Sequence, residues 1–343
     1  MKTTQLTLQF NTPAFLGNAF QEGQWRTPPF KALLRQWWRV AYAAERGFDR
    51  VDVKTMRHEE GMLFGHAWLE DDWHVPEGNA KPVQVHGRQS LVRIRLVDGA
   101  AADANAWTLG KQQGVDDMRK SLDTSYAWYG LVDRVDQPNR TGIKATPHGE
   151  STRVLRLAAP QEHMARLDEV ASLANAFGLM GSRSRGGWGA LQVLEAKPLT
   201  ATQMQRYARP LQDCLKNDWA MSLATHQGKP ALWHSKEPLK DWGKAMEFIA
   251  VERRNVRTSL KALGGKDLRP ALGFATPGRM PSPLRWKVVP APEGKGLSVR
   301  IFAMPHAIPA GNGPRMEPSE LLAAWTAVFN TLQDAKHLVR LDA

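Results

Sequence analysis

The segment Gly178-Leu179-Met180-Gly181-Ser182-Arg183-Ser184-Arg185-Gly186-Gly187-Trp188-Gly189 packs five glycines and two arginines into twelve residues. Glycine admits positive φ and lets a second backbone come close. Uncovered N–H groups in such a loop can cradle phosphate oxygens, and arginine adds charge and forked donors. The residues expected to make that grip are Gly181, Ser182, Arg183, Ser184, Arg185, Gly186 and Gly187. The same residues also suit a tight turn that merely carries two solvated arginines. No Gly-Lys-Ser/Thr follows, so this is not a nucleotide P-loop. It follows a helix and precedes a strand, the reverse of the dinucleotide fingerprint.

A second cationic group is Lys31, Arg35 and Arg39, four apart along one helical face, with no acidic residue interleaved before Glu45. Such a stripe is usually a solvated face. Trp38 borders it, placed either to stack on a base or to cover arginine methylenes. Catalytic constellations are weak. His58, His66 and His74 are eight apart, which suits neither helical nor strand ligation, and His58-Glu59-Glu60-Gly61-Met62 lacks the second histidine of a zincin. No Gly-x-Ser-x-Gly elbow is present, and Cys214 has no local base. Lys144 and His148 could form an acid–base pair for RNA cleavage, but nothing in their spacing demands it. No cofactor and no metal site is expected.

These groups need elements to hold them. Residues 4–10 alternate polar and apolar, the mark of a half-buried strand. Thr27 is placed to cap a helix running to about Arg46, with Pro28 and Pro29 in its first turn. On that helix Phe30, Leu33, Leu34, Trp37, Val40 and Ala41 share one face. Strands are expected at 90–97, with Arg93 and Arg95 outward, at 153–157 and at 190–194, with a helix over 161–177. Strand–helix–strand–strand–helix–strand is the split βαβ plan. Residues 98–150 read as an insertion, too long for an ordinary connection. Beyond Lys197-Pro198, helices are expected at 202–222, 240–263 and 317–338, and strands at 284–289 and 297–303. On the second of these helices Arg253, Arg257 and Lys261 repeat the four-residue basic spacing. The fold class is therefore α+β: two tandem ferredoxin-like domains, 1–197 and 198–343, the second more divergent and helix-rich.

The chain has 343 residues, and 46 basic against 34 acidic side chains leave a net charge of +12. That length suits about two domains, and 42% apolar residues suffice for real cores. No apolar run approaches the ~18–20 residues of a membrane span, and the N-terminus shows no signal-peptide core. A single cysteine excludes an internal disulfide and fits a reducing, cytoplasmic setting. The charge and the 13 tryptophans suit a polyanion partner.

Three segments carry a family resemblance: Thr12-Pro13-Ala14-Phe15-Leu16-Gly17, then Thr27-Pro28-Pro29-Phe30-Lys31-Ala32-Leu33-Leu34-Arg35-Gln36-Trp37-Trp38-Arg39, then Glu60-Gly61-Met62-Leu63-Phe64-Gly65. Together they resemble the first RAMP subunit of the type III-B (Cmr) CRISPR effector complex. The loop at 181–189 looks like that superfamily's glycine-rich loop, and Arg279-Met280-Pro281-Ser282-Pro283-Leu284 resembles its C-terminal Ser-Pro element. The chain departs from the pattern at Asn18, Thr27, Ala32 and Gly186. The resemblance implies a non-catalytic subunit capping one end of a crRNA-guided complex. Its partners would be crRNA or target RNA and neighbouring RAMP subunits, with no membrane. By position, the RNA contacts would fall on Lys31, Arg35 and Arg39 and on Arg183 and Arg185. The rival readings are a metal-independent CRISPR RNA-processing endoribonuclease of the same superfamily, a RAMP subunit of another CRISPR complex, and a cap that touches only protein.

Overall fold

The structure is a computed structural model. It describes the chain except residues 21, 68, 75–80, 98–106, 109–126, 128–130, 132–140, 144, 146–151, 293, 312, 342 and 343. Most of the expected insertion at 98–150 thus lies outside the described residues.

The N-terminal half is built from β1 (Lys2–Phe10), α1 (Thr27–Glu45), α2 (Val53–Phe64), β2 (Arg93–Leu96), β3 (Arg153–Ala159), α3 (Gln161–Phe177) and β4 (Leu191–Val193). Its strands form one antiparallel sheet in the spatial order β4-β1-β3-β2. Fourth–first–third–second is the connectivity of the split βαβ plan. The alternation read in the sequence sets the faces: Leu6, Leu8, Leu155 and Leu157 are buried with α1 and α3, while Gln5, Arg93, Arg95 and Arg156 are exposed on the other side.

The C-terminal half repeats this connectivity. It comprises β5 (Leu232–Ser235), α4 (Trp242–Ser259), β6 (Leu284–Pro290), β7 (Leu297–Ala303), α5 (Pro318–Asp334) and β8 (Leu338–Arg340). Its antiparallel sheet runs β8-β5-β7-β6, again fourth–first–third–second. The expected helix over 202–222 is corrected. Pro210 lacks the N–H a helix interior needs, and the segment divides into short helices at Ala201–Gln205 and Leu211–Cys214 with a strand at Ala208–Pro210. The closing helix stops at Asp334 rather than 338, freeing Leu338–Arg340 to pair with β5.

Two apolar clusters form the core, each drawing residues from both halves, and rings join the halves within them. Trp37 of α1 lies 5.4 Å from Phe177 at the end of α3, and Phe177 lies 5.0 Å from Phe302 of β7. The Trp188 indole, fully buried, packs within one of the two clusters and donates to the Ala127 carbonyl at 2.9 Å.

Candidate nucleic-acid interface

The helix-free face of the first sheet carries a row of exposed polar groups. The register places Gln5 beside Arg156, and Arg156 directly opposite Arg95. Side chains at directly opposed positions share a face, and Arg93, two residues along β2, shares it too. All four are exposed. No ion pair binds these three arginines among the described residues. Like charges directly opposite each other are destabilising, so the row suits an added anion. It holds no aromatic side chain, which favours phosphate and sugar contacts over base stacking. Arg93 and Arg95 were legible in the sequence as outward residues. None of the three is a site residue in the sequence reading, because only strand register brings Arg156 beside Arg95.

Lys31, Arg35 and Arg39 do line one face of α1, with no acidic residue interleaved on that helix, but a second helix brings a carboxylate to them. Glu60 of α2, 2% exposed, accepts from Arg35 Nε at 2.5 Å and from Arg39 Nε and Nη2 at 2.7 and 2.9 Å. One carboxylate between two guanidiniums leaves an excess positive charge. It also fixes both forks, whose side chains remain 37% and 41% exposed. Burial, with Arg35 adding to it, lowers the Lys31 pKa. Glu60 stands in the Glu-Gly-Met-Leu-Phe-Gly segment, but the helix pairing that brings it to Arg35 lies beyond sequence spacing.

Trp38 is corrected outright. It is 5% exposed, with its ring 4.9 Å from Tyr42 and edge-on to Phe64 at 6.2 Å. It packs α2 onto α1 and leaves no face for a base.

The glycine-rich loop is used differently from the phosphate cradle expected of it. The N–H groups of Ser182, Gly186, Gly187 and Gly189 donate to the carbonyls of Phe15, Arg183, Ser184 and Pro13. Gly186 and Gly187 are buried, and a Cβ on Gly187 would meet Ile249 of α4 at 2.6 Å. Arg185 Nη1 donates to the Pro281 and Ser282 carbonyls at 2.8 and 3.1 Å, and its own carbonyl accepts from Trp286 of β6. Its guanidinium pKa is lowered by burial. Gly186, Gly187 and Arg185 therefore lock the loop against the C-terminal half. Gly181 and Arg183 are exposed at the tip, with Ser182 and Ser184 half-buried beside them; Arg183 takes left-handed φ of 56°. The loop arginine is tied to the 281–286 segment and the helix arginines to α2, so the structure holds the two groups on separate supports.

The histidines near α2 serve structure. His66 Nε2 lies 2.7 Å from Asp72, which also accepts from Arg88 Nη2 at 2.8 Å. The Arg88 hydrogen bond is the main cause holding the Asp72 carboxyl down at about 2. Cys214 is buried, and burial pushes its thiol up to about 11. Lys144 and His148 lie outside the described residues. Among the described residues no group of His, Cys, Asp or Glu could hold a metal ion, and no helix is long and apolar enough to cross a membrane.

The class these sheets define is an α+β protein with two split βαβ sheets along one chain. No protein-family model matches the sequence, and no curated protein matches it. Among solved structures the chain is similar to Cmr1 from Pyrococcus furiosus, at a TM-score of 0.55 and 16% identity over 99% of both chains. It is also similar to a chain of the type III-B Cmr-beta complex bound to cognate target RNA and AMPPnP in the presence of ssDNA. There the TM-score is 0.51 and the identity 10%, over 96% of this chain and 98% of that one. At these identities the likeness is one of fold, and it agrees with the resemblance drawn from the sequence segments.

Proposed function

We propose that this chain is a non-catalytic, RNA-contacting subunit capping one end of a crRNA-guided type III-B effector complex in antiviral defence. The observation that carries the reading is the exposed Arg93, Arg95 and Arg156 cluster on the open face of the first sheet, which no ion pair compensates among the described residues. The whole-length likeness to Cmr1 and to a chain of an RNA-bound Cmr complex supports it. In this reading residues 1–197 and 198–343 are tandem RNA-recognition-like domains, and the protein works in the cytoplasm beside neighbouring RAMP subunits.

The sheet arginines grip phosphates and sugars of crRNA or target RNA, and Lys31, Arg35 and Arg39 add a second contact on the helical side. Contacts of this kind position a strand without reading its sequence. Sequence choice then belongs to guide pairing, as in other RNA-guided effectors. The test is to purify a tagged copy expressed from its native operon. RNA of guide length and further complex subunits are expected to accompany it. A chain that purifies alone, without nucleic acid, contradicts the reading.

A further inference from the structure

The two halves leave an open cleft of about 700 Å³ between them, within the range of small-molecule sites. The cations lining it are Lys236, Lys287, Arg300 and Arg340, and among the described residues no aspartate or glutamate lines it. Two of these cations are set into the wall by the last carbonyls of α3. Lys287 Nζ donates to Ala174 and Asn175 at 3.2 and 2.6 Å, and Arg300 Nη1 donates to Ala176 at 2.8 Å. A helix C-terminus favours positive charge but supplies only partial negative charge, so Arg300 keeps most of its field. Burial, with Arg300 close by, pushes the Lys287 pKa well below the usual lysine range.

Arg300 is oriented as well as anchored. Its Nε donates to His234 Nε2 at 3.2 Å, and its Nη2 has no hydrogen-bond partner among the described residues. Burial and the Arg300 charge lower the His234 pKa to about 3, which keeps the ring neutral and able to accept. Lys236 is exposed at the rim. Part of the remaining wall is apolar and stiff, with Leu199, Pro198, Pro238 and Pro290, and Asn11, Gln192 and Ser298 add neutral polar groups. A charged forked donor beside an apolar wall suits a small anion that carries a flat, apolar body.

We propose that this cleft binds a nucleoside phosphate, with Arg300 and Lys236 taking the phosphate and the proline-rich wall taking the nucleoside. The source is either a free mononucleotide or one nucleotide of an RNA strand. In the second case the site deepens the RNA-contacting reading and rests on it. The probes are adenosine monophosphate and a ten-nucleotide single-stranded RNA, tested on the full chain, Lys236→Glu and Arg300→Gln.

Millimolar adenosine monophosphate is expected to raise the melting temperature of the unaltered chain and of neither variant, since only the folded state binds. If the strand is the source, RNA affinity falls about tenfold in Lys236→Glu, the scale of one lost charge-assisted contact. A nucleotide shift without loss of RNA affinity assigns the cleft to the free nucleotide. The inference is overturned if the nucleotide gives no shift and Lys236→Glu leaves RNA affinity unchanged. Lys236 is exposed, so its variant keeps the test decisive should Arg300→Gln fail to fold. Nucleotide binding by a chain with no RNA affinity at all would sink the RNA-contacting reading and leave the cleft standing.

Discussion

Arg95 and Arg156 stand directly opposite each other across the β2–β3 pairing, both exposed, with Arg93 two residues along the same face. A fold that needed only stability would place opposite charges or a Thr pair there, because like charges in register repel. Keeping the repulsion makes sense where a strand of phosphates neutralises it.

Replacing Arg156 by Gln should therefore make the isolated chain slightly more stable, by about 0.5 kcal/mol. Urea denaturation at low salt measures this, and the gain should shrink as salt screens the repulsion. A loss of stability would mean that Arg156 makes a favourable contact in the isolated chain.

The two loop arginines should part company. Arg185 is held by the Pro281 and Ser282 carbonyls, so Arg185→Glu removes that tie and places a carboxylate against two carbonyl oxygens. A loss of stability on the order of 2 kcal/mol is expected, read as a lower melting temperature. Arg183 is exposed, and Arg183→Glu should cost less stability than Arg185→Glu.

Gly189 sits at φ 61°, and a Cβ there would lie 1.9 Å from the Met180 carbonyl oxygen. Gly189→Ala should cost on the order of 3 kcal/mol through that clash and the backbone strain. Gly264, at φ 60° with nothing within 4 Å of a Cβ, is the control: its alanine variant meets backbone strain alone and should lose far less. Thermal melting of both variants compares them.

The elements were most legible where a periodic pattern ran long. The helix over 161–177 and the strand over 297–303 were placed by pattern alone and stand at those bounds. The short strands Leu232–Ser235 and Leu338–Arg340 carry too few residues for an alternation to show, and pairing with each other defines them. The site was legible as residue types but not as partners. Glu60 lies 25 positions from Arg35, so only the packing of α2 on α1 joins them. The glycines of 186–189 misled because close packing and phosphate binding both require a missing Cβ; in this chain Gly186 and Gly187 serve packing against α4, and Gly189 the close approach of the Met180 backbone.

His234 gives the fold a pH dependence. Its folded pKa, about 3, is depressed from 6.5, so the unfolded chain binds a proton over that interval and the folded chain does not. Its contribution to stability is complete above pH 6.5 and is lost as pH falls towards 3. His234→Gln should flatten that limb in urea denaturation between pH 6.5 and 4, whereas an unchanged slope would place the titration elsewhere.

Sheet-face arginines that neutralise RNA phosphates leave their signature in the salt dependence of binding. Fluorescence anisotropy with a fifteen-nucleotide single-stranded RNA yields log affinity against log salt for the unaltered chain and for Arg93→Ser/Arg95→Ser/Arg156→Ser. Each neutralised phosphate contributes a slope of about −0.7 for a single strand, so the triple variant should bind more weakly with a slope shallower by about 2. The same affinity and the same slope in both proteins would mean that these arginines do not meet RNA phosphates.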